Sequence, residues 1–241
     1  MSKKKIIIIG GSGSIGSSIA NEIIKDGFEP HLIGRNYNSL KKLSDELNCS
    51  FEVADVTNSK DLIKALHNCG NNIFGLAYCA GSINLKSLSL ANENDYIESF
   101  RVNTLGAVIS IKAIKDILKK NKGSILLFSS IAVKTGFMNH TIISTAKAGI
   151  EALTVSLAAE LAPNIRVNCI APSLTETGMT KSLTSNENIR KAIELLHPIP
   201  RIGQPSDHSK LAAFLLNDSS NWITGQIFNI DGGRSTIRRK G

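Results

Sequence analysis

Four consecutive isoleucines, Ile6–Ile9, lead directly into the glycine-rich segment Gly10–Gly16. An unbroken β-branched run predicts a strand that is buried on both faces, as in a parallel sheet. From Ser14 to Asp26 the apolar residues recur at helical spacing, so the glycines join a strand to a helix. Glycine adopts the tight angles of such a turn at low cost, and bare backbone lets a pyrophosphate reach the N–H groups of the helix start. The turn therefore predicts an α/β protein that binds a nucleotide.

Strands and helices continue to alternate along the chain. The further predicted strands are His31–Ile33, Phe51–Val53, Ile73–Cys79, Ser124–Ser129, Arg166–Ile170 and Gln226–Ile230. The further predicted helices are Asn38–Leu47, Ser59–His67, Asn94–Lys120, Thr141–Leu161 and Pro205–Asn217. This order predicts a doubly wound parallel β-sheet with helices on both faces, the Rossmann fold. We expect residues 1–241 to form a single domain, with a loosely ordered substrate loop and mobile lid at about residues 171–200.

Charge and composition exclude several classes of function. The net charge of +8 comes partly from lysines at the N-terminus and from Arg238, Arg239 and Lys240 at the C-terminus, which we interpret as solvated tails. Nucleic-acid binding is therefore not predicted. No apolar run reaches membrane-spanning length, and the first one is too short for a signal peptide. The four cysteines have no metal-ligand spacing, so we expect reduced thiols, no metal and a cytoplasmic protein.

The residues after the second predicted strand bear on the choice of nucleotide. An acid at this position would accept hydrogen bonds from the ribose 2′-hydroxyl of NAD. The chain has Gly34-Arg35-Asn36 instead. Arg35 could hold a 2′-phosphate through a charge-assisted fork, which favours NADP over NAD. The alternative is that Arg35 is an ordinary solvated arginine.

Several further motifs, taken together with the glycine turn, resemble the short-chain dehydrogenases/reductases. They are Ala54-Asp55-Val56, Ala80-Gly81, Asn103, Ser129-Ser130, Lys147, Arg166-Val167-Asn168, Ala171-Pro172 and the segment from Trp222 to Gly233. The resemblance extends from Ile6 to Gly233. It implies the same fold, and an oxidoreductase that commonly forms dimers or tetramers through its two long helices.

The resemblance also implies roles for individual residues. The residues around the diphosphate would be Gly10, Ser12, Gly13, Ser14, Ile15 and Gly16, and those near the adenosine would be Arg35, Asn36, Asp55 and Val56. Ala80 and Gly81 would lie beside a ribose. The residues at the nicotinamide end would be Pro172, Thr175 and Thr177. Lys147 would hold the nicotinamide ribose, and Asn103 would support a water beside it. Ser130 would hydrogen-bond the substrate oxygen.

One departure from the family pattern concerns the chemistry. The family's tyrosine acid stands four residues before the lysine, where this chain has Ile143. His140 lies seven residues before Lys147 and so on nearly the same helix face. The enoyl reductases of the superfamily place their tyrosine at that spacing, and histidine suits acid–base work. The alternatives for the proton are Ser144, Thr145 or a bound water, and His140 could instead cap the helix.

These observations support an NADP-dependent oxidoreductase acting on a carbonyl/alcohol pair or an activated double bond of a small molecule. The alternative is a catalytically silent NADP-binding protein, serving as a redox sensor or partner subunit. Possible substrate contacts in the loop region are Leu174, Met179, Leu183 and His197. We expect a homodimer or homotetramer, because the two long helices are apolar on more than one face.

Overall fold

Seven parallel strands form one sheet in the computed structural model, which describes residues 3–238 apart from the side chains of Ser182 and Leu183. The strands are β1 Lys5–Ile9, β2 Glu29–Gly34, β3 Ser50–Val53, β4 Ile73–Tyr78, β5 Ser124–Phe128, β6 Arg166–Pro172 and β7 Ile227–Ile230. Their order across the sheet is β3-β2-β1-β4-β5-β6-β7. The predicted fold class is confirmed, and the predicted strands differ from the observed ones only at their ends.

Helices cover both faces of the sheet. They are α1 Ser14–Lys25, α2 Tyr37–Leu47, α3 Ser59–Asn68, α4 Glu93–Phe100, α5 Gly106–Lys120, α6 Thr141–Leu161, α7 Lys181–Thr184, α8 Glu187–Leu195 and α9 Pro205–Leu216. One core lies between the sheet and α1, α2 and α9, and the other lies under α3, α5 and α6. The isoleucine run supplies both, since Ile6 and Ile8 join the first core and Ile7 and Ile9 the second.

The predicted helix Asn94–Lys120 is interrupted. A wide π-helical turn, Arg101–Leu105, separates α4 from α5, and the Gly106 N–H donates to the Arg101 carbonyl five residues back. The buried Tyr78 hydroxyl donates to the Val102 carbonyl at 2.6 Å. A wide turn of this kind changes which side chains face inward, and here it buries Asn103 completely.

The region at residues 171–200 is more regular than predicted, because it contains both α7 and α8. The side chain of Asn186 caps α8 by accepting from two main-chain N–H groups. The Arg190 guanidinium binds both carboxylate oxygens of Glu176, at 2.9 and 3.2 Å. The Glu176 N–H donates to the Gly203 carbonyl at 2.8 Å, which fastens the region to the segment before α9.

The interpretation of the N-terminal lysines as a solvated tail is wrong for Lys5, which begins β1 and is half-buried. Lys4 is exposed, and its ammonium lies 4.0 Å from the centroid of the Phe74 ring. Arg238 is exposed, whereas Arg239 and Lys240 lie outside the described residues. All four cysteines are free thiols; Cys69 and Cys169 are buried, and Cys49 and Cys79 are half-buried.

Helix α6 is long and apolar enough, by length and composition alone, to cross a membrane. In the structure it packs against β6 and α4. Its inner face buries the ionisable residues Lys147 and Glu151 among apolar neighbours. Packing against the sheet and α4 therefore accounts for the apolar residues of its inner face.

We predict that the Tyr78 hydroxyl stabilises the π-helical turn. Tyr78→Phe leaves the Val102 carbonyl without this donor, which should lower the free energy of unfolding by about 1–3 kcal/mol. Gly106→Ala should cost more, because a Cβ at Gly106 would collide with the Tyr78 Oη atom. Chemical denaturation of both variants measures these changes.

The double variant separates this contact from a general loss of packing. Because a phenylalanine side chain has no Oη atom, Gly106→Ala should cost less in the Tyr78→Phe background than in the unmodified protein. Strictly additive losses would show that the collision with Oη does not determine the choice of glycine.

Candidate functional site

A cavity of about 690 Å³ opens at the carboxyl ends of the strands. Its walls include the segments that follow β1, β4, β5 and β6, together with part of α6. In open α/β sheets the ligand crevice lies where the strand order reverses, and here that point falls between β1 and β4. The topology thus brings four loops to one place.

The glycine turn forms one end of this cavity. Gly10 has a φ of +80°, and a Cβ there would lie 2.8 Å from the Ala80 nitrogen. Gly13 is the N-cap of α1 and supplies no side-chain cap, and the first turn of the helix has no acid. The N–H groups and the positive end of the helix dipole are therefore available to an anion. Such a cradle fits the diphosphate of a dinucleotide.

Two of the other predicted phosphate contacts, Ser12 and Ser14, line the cavity together with Ile15 and Gly16. The Ser14 hydroxyl oxygen also accepts a 3.4 Å hydrogen bond from the Gly178 N–H. The glycine turn is thus tied to the predicted substrate-loop region on the opposite wall.

The residues predicted for the adenosine end lie beside this turn but do not line the cavity. The Arg35 side chain is 76% exposed, and its Nη1 atom lies 3.8 Å from Asp55 Oδ2. The Asn36 side chain accepts from the Ser39 N–H and caps α2. The Val56 side chain is buried in the core, and a Cβ at Gly106 would lie 3.1 Å from its Cβ. Arg35 is therefore the exposed cation beside the turn.

Lys147 is buried in the middle of the cavity wall. Its Nζ atom donates to the Phe128 carbonyl at 2.8 Å. Burial lowers the pKa of Lys147 to about 8, because the protein interior disfavours the ammonium form. Cys79 and Cys169 lie nearby, and burial raises the pKa of each thiol to about 12. The thiols thus stay neutral.

Asn103 and Gly81 complete the surroundings of Lys147. The Asn103 amide donates to the Ser99 carbonyl at 2.9 Å, and its Oδ1 accepts from the Ser82 N–H at 3.3 Å. A Cβ at Gly81 would lie 2.9 Å from Asn103 Oδ1 and 3.6 Å from Lys147 Nζ. Only a glycine leaves the amide and the ammonium open to the cavity at this point.

The two serines after β5 differ in their bonding. The Ser129 hydroxyl is buried and donates to Glu151 Oε1 at 2.9 Å. The Ser130 oxygen accepts from the Ala132 N–H at 3.2 Å, which leaves its proton available for another partner. Ser130 is thus the serine of the pair that can donate to a ligand. Glu151 had not been singled out, because a lone acid on a helix carries no sequence signal.

Ile143 lines the cavity and is 5% exposed. None of the three tyrosines lines the cavity in its place. Tyr78 donates to a main-chain carbonyl, Tyr96 contacts the Thr141 hydroxyl, and Tyr37 packs on Phe51. No phenol therefore takes up the position that Ile143 occupies.

His140 is the N-cap of α6 and lines the same cavity as Lys147 and Ser130. Its Nδ1 atom lies 2.7 Å from the Met138 carbonyl. Because a carbonyl only accepts, Nδ1 carries the proton and Nε2 is left to exchange one. The Ser144 and Thr145 hydroxyls, by contrast, donate to main-chain carbonyls at 2.8 and 2.7 Å.

The predicted contacts in the loop region separate into two groups. Pro172, Leu174, Thr177 and Met179 line the cavity, as does Thr175, whose hydroxyl is buried against His208 Nε2 at 2.7 Å. His197 does not line it: the ring is buried, lies 2.8 Å from the Ser173 hydroxyl and borders a separate cavity of about 210 Å³. The proposed substrate contact at His197 is therefore wrong, and the Leu183 side chain lies outside the described residues.

Phe137, Ile193 and Arg234 line the cavity without having been identified from the sequence. Each lies far along the chain from the glycine turn, on a loop or helix whose path the sequence pattern does not fix. An arginine directly after the last strand and its glycine pair was the one available signal.

Comparison with known proteins gives one consistent result. A family model described as enoyl-(acyl carrier protein) reductase matches residues 10–235. The 3-oxoacyl-[acyl-carrier-protein] reductase FabG of Chlamydia pneumoniae is 34% identical, over 95% of this chain and 96% of its own length. Carbonyl reductase family member 4 of Danio rerio is 30% identical, over 94% and 96%.

Two solved structures are also similar over nearly the whole chain. A short-chain type dehydrogenase/reductase from Mycobacterium ulcerans has a TM-score of 0.91 at 26% identity, covering 98% of this chain and 90% of that one. ElxO with NADP bound has a TM-score of 0.91 at 27% identity, covering 98% and 100%.

We predict that Lys147 makes stability depend on pH. Its pKa of about 8 in the folded protein lies below the value of about 10.4 for an unfolded lysine. Between these values the unfolded chain binds more protons, so stability rises with pH. From about pH 7 to about pH 9.5 the unmodified protein should gain about 2 kcal/mol relative to Lys147→Met. Denaturant titration at both pH values measures this, and an identical response of the two proteins would contradict it.

Proposed function

The chain belongs to the short-chain dehydrogenase/reductase family of NAD(P)-dependent oxidoreductases, and we propose that it uses NADPH to reduce the carbonyl group of a small molecule. The observation that carries this proposal is the single cavity that joins an uncapped glycine turn to Lys147 and Ser130. An anion cradle beside a buried amine and a free hydroxyl suits a dinucleotide next to a polar reactive group.

The residues present fit the cofactor. The glycine turn and the Ser12 and Ser14 hydroxyls would hold the diphosphate, and Arg35 would bind the 2′-phosphate that distinguishes NADP. Asn36, Asp55 and Val56 would border the adenosine, and Ala80 would lie beside a ribose. The structural relative ElxO with NADP bound supports the same choice. When bound, NADPH supplies the hydride.

The chain's own residues would orient the nicotinamide end. Lys147 would donate to the ribose hydroxyls, since its Nζ atom lies at the cavity beside Gly81. Pro172, Thr175 and Thr177 would bound the ring on the wall after β6. Asn103 would hold a water near Lys147, through the same side chain that the π-helical turn buries.

At the substrate end, Ser130 would donate to the carbonyl oxygen and fix its position. Relatives at 34% and 30% identity are named as a 3-oxoacyl-[acyl-carrier-protein] reductase and a carbonyl reductase. These names favour carbonyl reduction over the enoyl reduction that the description of the family model suggests.

Delivery of the proton to the carbonyl oxygen is the step in which this chain departs from its family, because Ile143 lies where the family's tyrosine acid is expected. We assign the proton to His140, whose Nε2 atom is free to carry one while Nδ1 is fixed on the Met138 carbonyl. A water held by Lys147 and Asn103 is the alternative source. Ser144 and Thr145 are disfavoured, because their hydroxyl protons are already donated to carbonyls.

The assembly and the location belong to the same proposal. Exposed apolar side chains lie on α4, on α5, on α6 and on the turn between α4 and α5: Ile97, Phe100, Leu105, Val108 and Val155. Helices with such faces bury them best against a second copy, which supports a homodimer or homotetramer. Reduced thiols favour the cytoplasm.

For the cofactor, we predict that Arg35→Asp weakens NADPH binding by about 10- to 100-fold, because it removes a charge-assisted hydrogen bond and adds a repulsive charge. Binding of NADH should not weaken, because the new carboxylate can accept hydrogen bonds from its ribose 2′-hydroxyl. Fluorescence titration of both nucleotides measures the ratio of dissociation constants.

Lys42→Asp is the matched control. Lys42 is an exposed lysine on α2, paired with Glu46, and its replacement changes the net charge by the same amount. It should leave the ratio unaltered. Tighter binding of NADH than of NADPH by the unmodified protein would overturn the assignment of Arg35.

For the proton, we predict that carbonyl reduction becomes faster as the pH falls, because the donor must carry a proton to deliver it. His140→Ala should flatten this dependence and lower kcat by about 100-fold. His140→Gln keeps a polar side chain without an exchangeable proton and should behave like His140→Ala. Steady-state rates below about pH 7.5 avoid the titration of Lys147 near 8.

Two outcomes would overturn the assignment to His140. Full turnover by His140→Ala with an unchanged pH profile would give the proton to the water. Tight NADPH binding without turnover of any ketone, together with activity created by Ile143→Tyr, would establish the catalytically silent NADP-binding protein.

A further inference from the structure

Arg234 brings a positive charge to the substrate end of the cavity. It follows β7 and the glycine pair Gly232-Gly233, and its half-buried side chain lines the cavity. The central carbon of its guanidinium lies 4.6 Å from the centroid of the Phe137 ring. A ring face holds a guanidinium flat and leaves its outer N–H groups free to bind a ligand.

The guanidinium forms no salt bridge with a carboxylate among the described residues. Asp231, the acid whose charge acts on it, uses its oxygens on the turn: Oδ1 accepts from the Gly233 N–H and Oδ2 from the Ser235 N–H. Among the described residues, the Arg234 side chain donates to the Ser173 hydroxyl, at 3.5 Å. Burial lowers the pKa of Arg234 and the charge of Asp231 opposes this change, and the guanidinium remains charged. A half-buried cation without a salt bridge gains from direct pairing with an anion.

The charges of the residues that line the whole cavity also favour an anionic ligand. Among its described lining residues the basic ones are Lys147, Arg234 and His140, and no aspartate or glutamate is present. Lys147 faces Asn103 and Gly81, where the nicotinamide ribose is proposed to lie. Arg234 lies on a different wall and is not needed for the cofactor.

We infer that Arg234 selects a carbonyl substrate that carries an anionic group, a carboxylate or a phosphate, which its guanidinium binds. The inference rests on the proposed function, since it deepens the assignment of the substrate at the same site. A planar fork matches a carboxylate or phosphate through two parallel hydrogen bonds. Arg234 is thus a specificity-determining residue.

The position of Phe137 relates this anion site to the reacting group. The Phe137 ring contacts both Arg234 and His140, with its centroid 5.3 Å from that of the imidazole. Anion binding and the proposed proton donor therefore share one wall of the cavity. A substrate whose anionic group lies a few bonds from its carbonyl would contact both.

The test compares four probes that share one 3-oxobutanoyl group. Acetoacetate carries a carboxylate, and its ethyl ester is the neutral counterpart; acetoacetyl-coenzyme A carries phosphates, and the acetoacetyl thioester of N-acetylcysteamine is the neutral counterpart. Each is assayed with the unmodified protein and with Arg234→Met, Arg234→Lys and Arg238→Met. Arg238 is exposed four residues further on and does not line the cavity, so Arg238→Met controls for the loss of one positive charge.

We expect Arg234→Met to lower kcat/KM for one anionic probe by about 10- to 100-fold and to leave its neutral counterpart within about twofold. Arg234→Lys should recover part of the loss, and Arg238→Met should change neither. If acetoacetate and its ester respond differently, the anion is the carboxylate of the substrate. If acetoacetyl-coenzyme A and its neutral thioester respond differently, the anion is a phosphate of the carrier. Equal effects of Arg234→Met on charged and neutral probes would overturn the inference.

A binding measurement tests the anion site independently of whether the protein catalyses the proposed reduction. 3-Hydroxybutyrate, its methyl ester and 3-hydroxybutyryl-coenzyme A cannot be reduced, so calorimetric titration with and without NADPH reports binding alone. Binding of an anion that Arg234→Met weakens by the same factor supports the anion site even if no probe is turned over. Absence of anion binding, or binding unchanged in Arg234→Met, would refute it.

Discussion

The site depends on how closely the main chain after β1 approaches the main chain after β4. Gly10 lies against the Ala80 backbone, and a Cβ at Gly16 would collide with the Gly10 carbonyl oxygen. These contacts leave no room for side chains, so α1 starts directly at the sheet edge, with its N–H groups towards the crevice. The four loops that line the cavity are arranged around this contact, and a larger residue at either glycine would move the helix away from the sheet.

The electrostatics of the cavity follow from burial rather than from ion pairs. Lys147 is held by a main-chain carbonyl, and Arg234 by an aromatic face. The buried acid near Lys147, Glu151, is turned towards the Ser129 hydroxyl and lies 3.9 Å from Lys134. Because the protein forms no salt bridge with these two cations, the cavity has a positive electrostatic potential that attracts anionic ligands. Such a cavity suits two anionic ligands side by side.

The alternation of strands and helices, the glycine turn and the span of Thr141–Leu161 could be predicted, because each rests on a short-range pattern: an apolar period, a turn residue or a cap. The π-helical turn could not, because it depends on a hydroxyl from β4, Tyr78, meeting a carbonyl more than twenty residues away. His197 looked like a loop side chain facing the cavity, yet it is buried behind that wall. Arg234 was missed because its importance lies in lining the cavity without a salt bridge, and only the three-dimensional arrangement reveals that.

Because Ile143 has no proton to donate, its presence changes the role of Lys147 and the source of the proton. It lies one helical turn from Lys147, and both side chains are buried on the same face of α6. A hydroxyl there could pair with the ammonium, whereas an alkyl group only adds to the burial that lowers the pKa of Lys147. With its pKa near 8, Lys147 can still bind ribose as an ammonium at neutral pH, but it has no phenol whose proton it could make more acidic. We therefore propose that the acid is the His140 imidazole, which lines the cavity and has one nitrogen already fixed by a carbonyl.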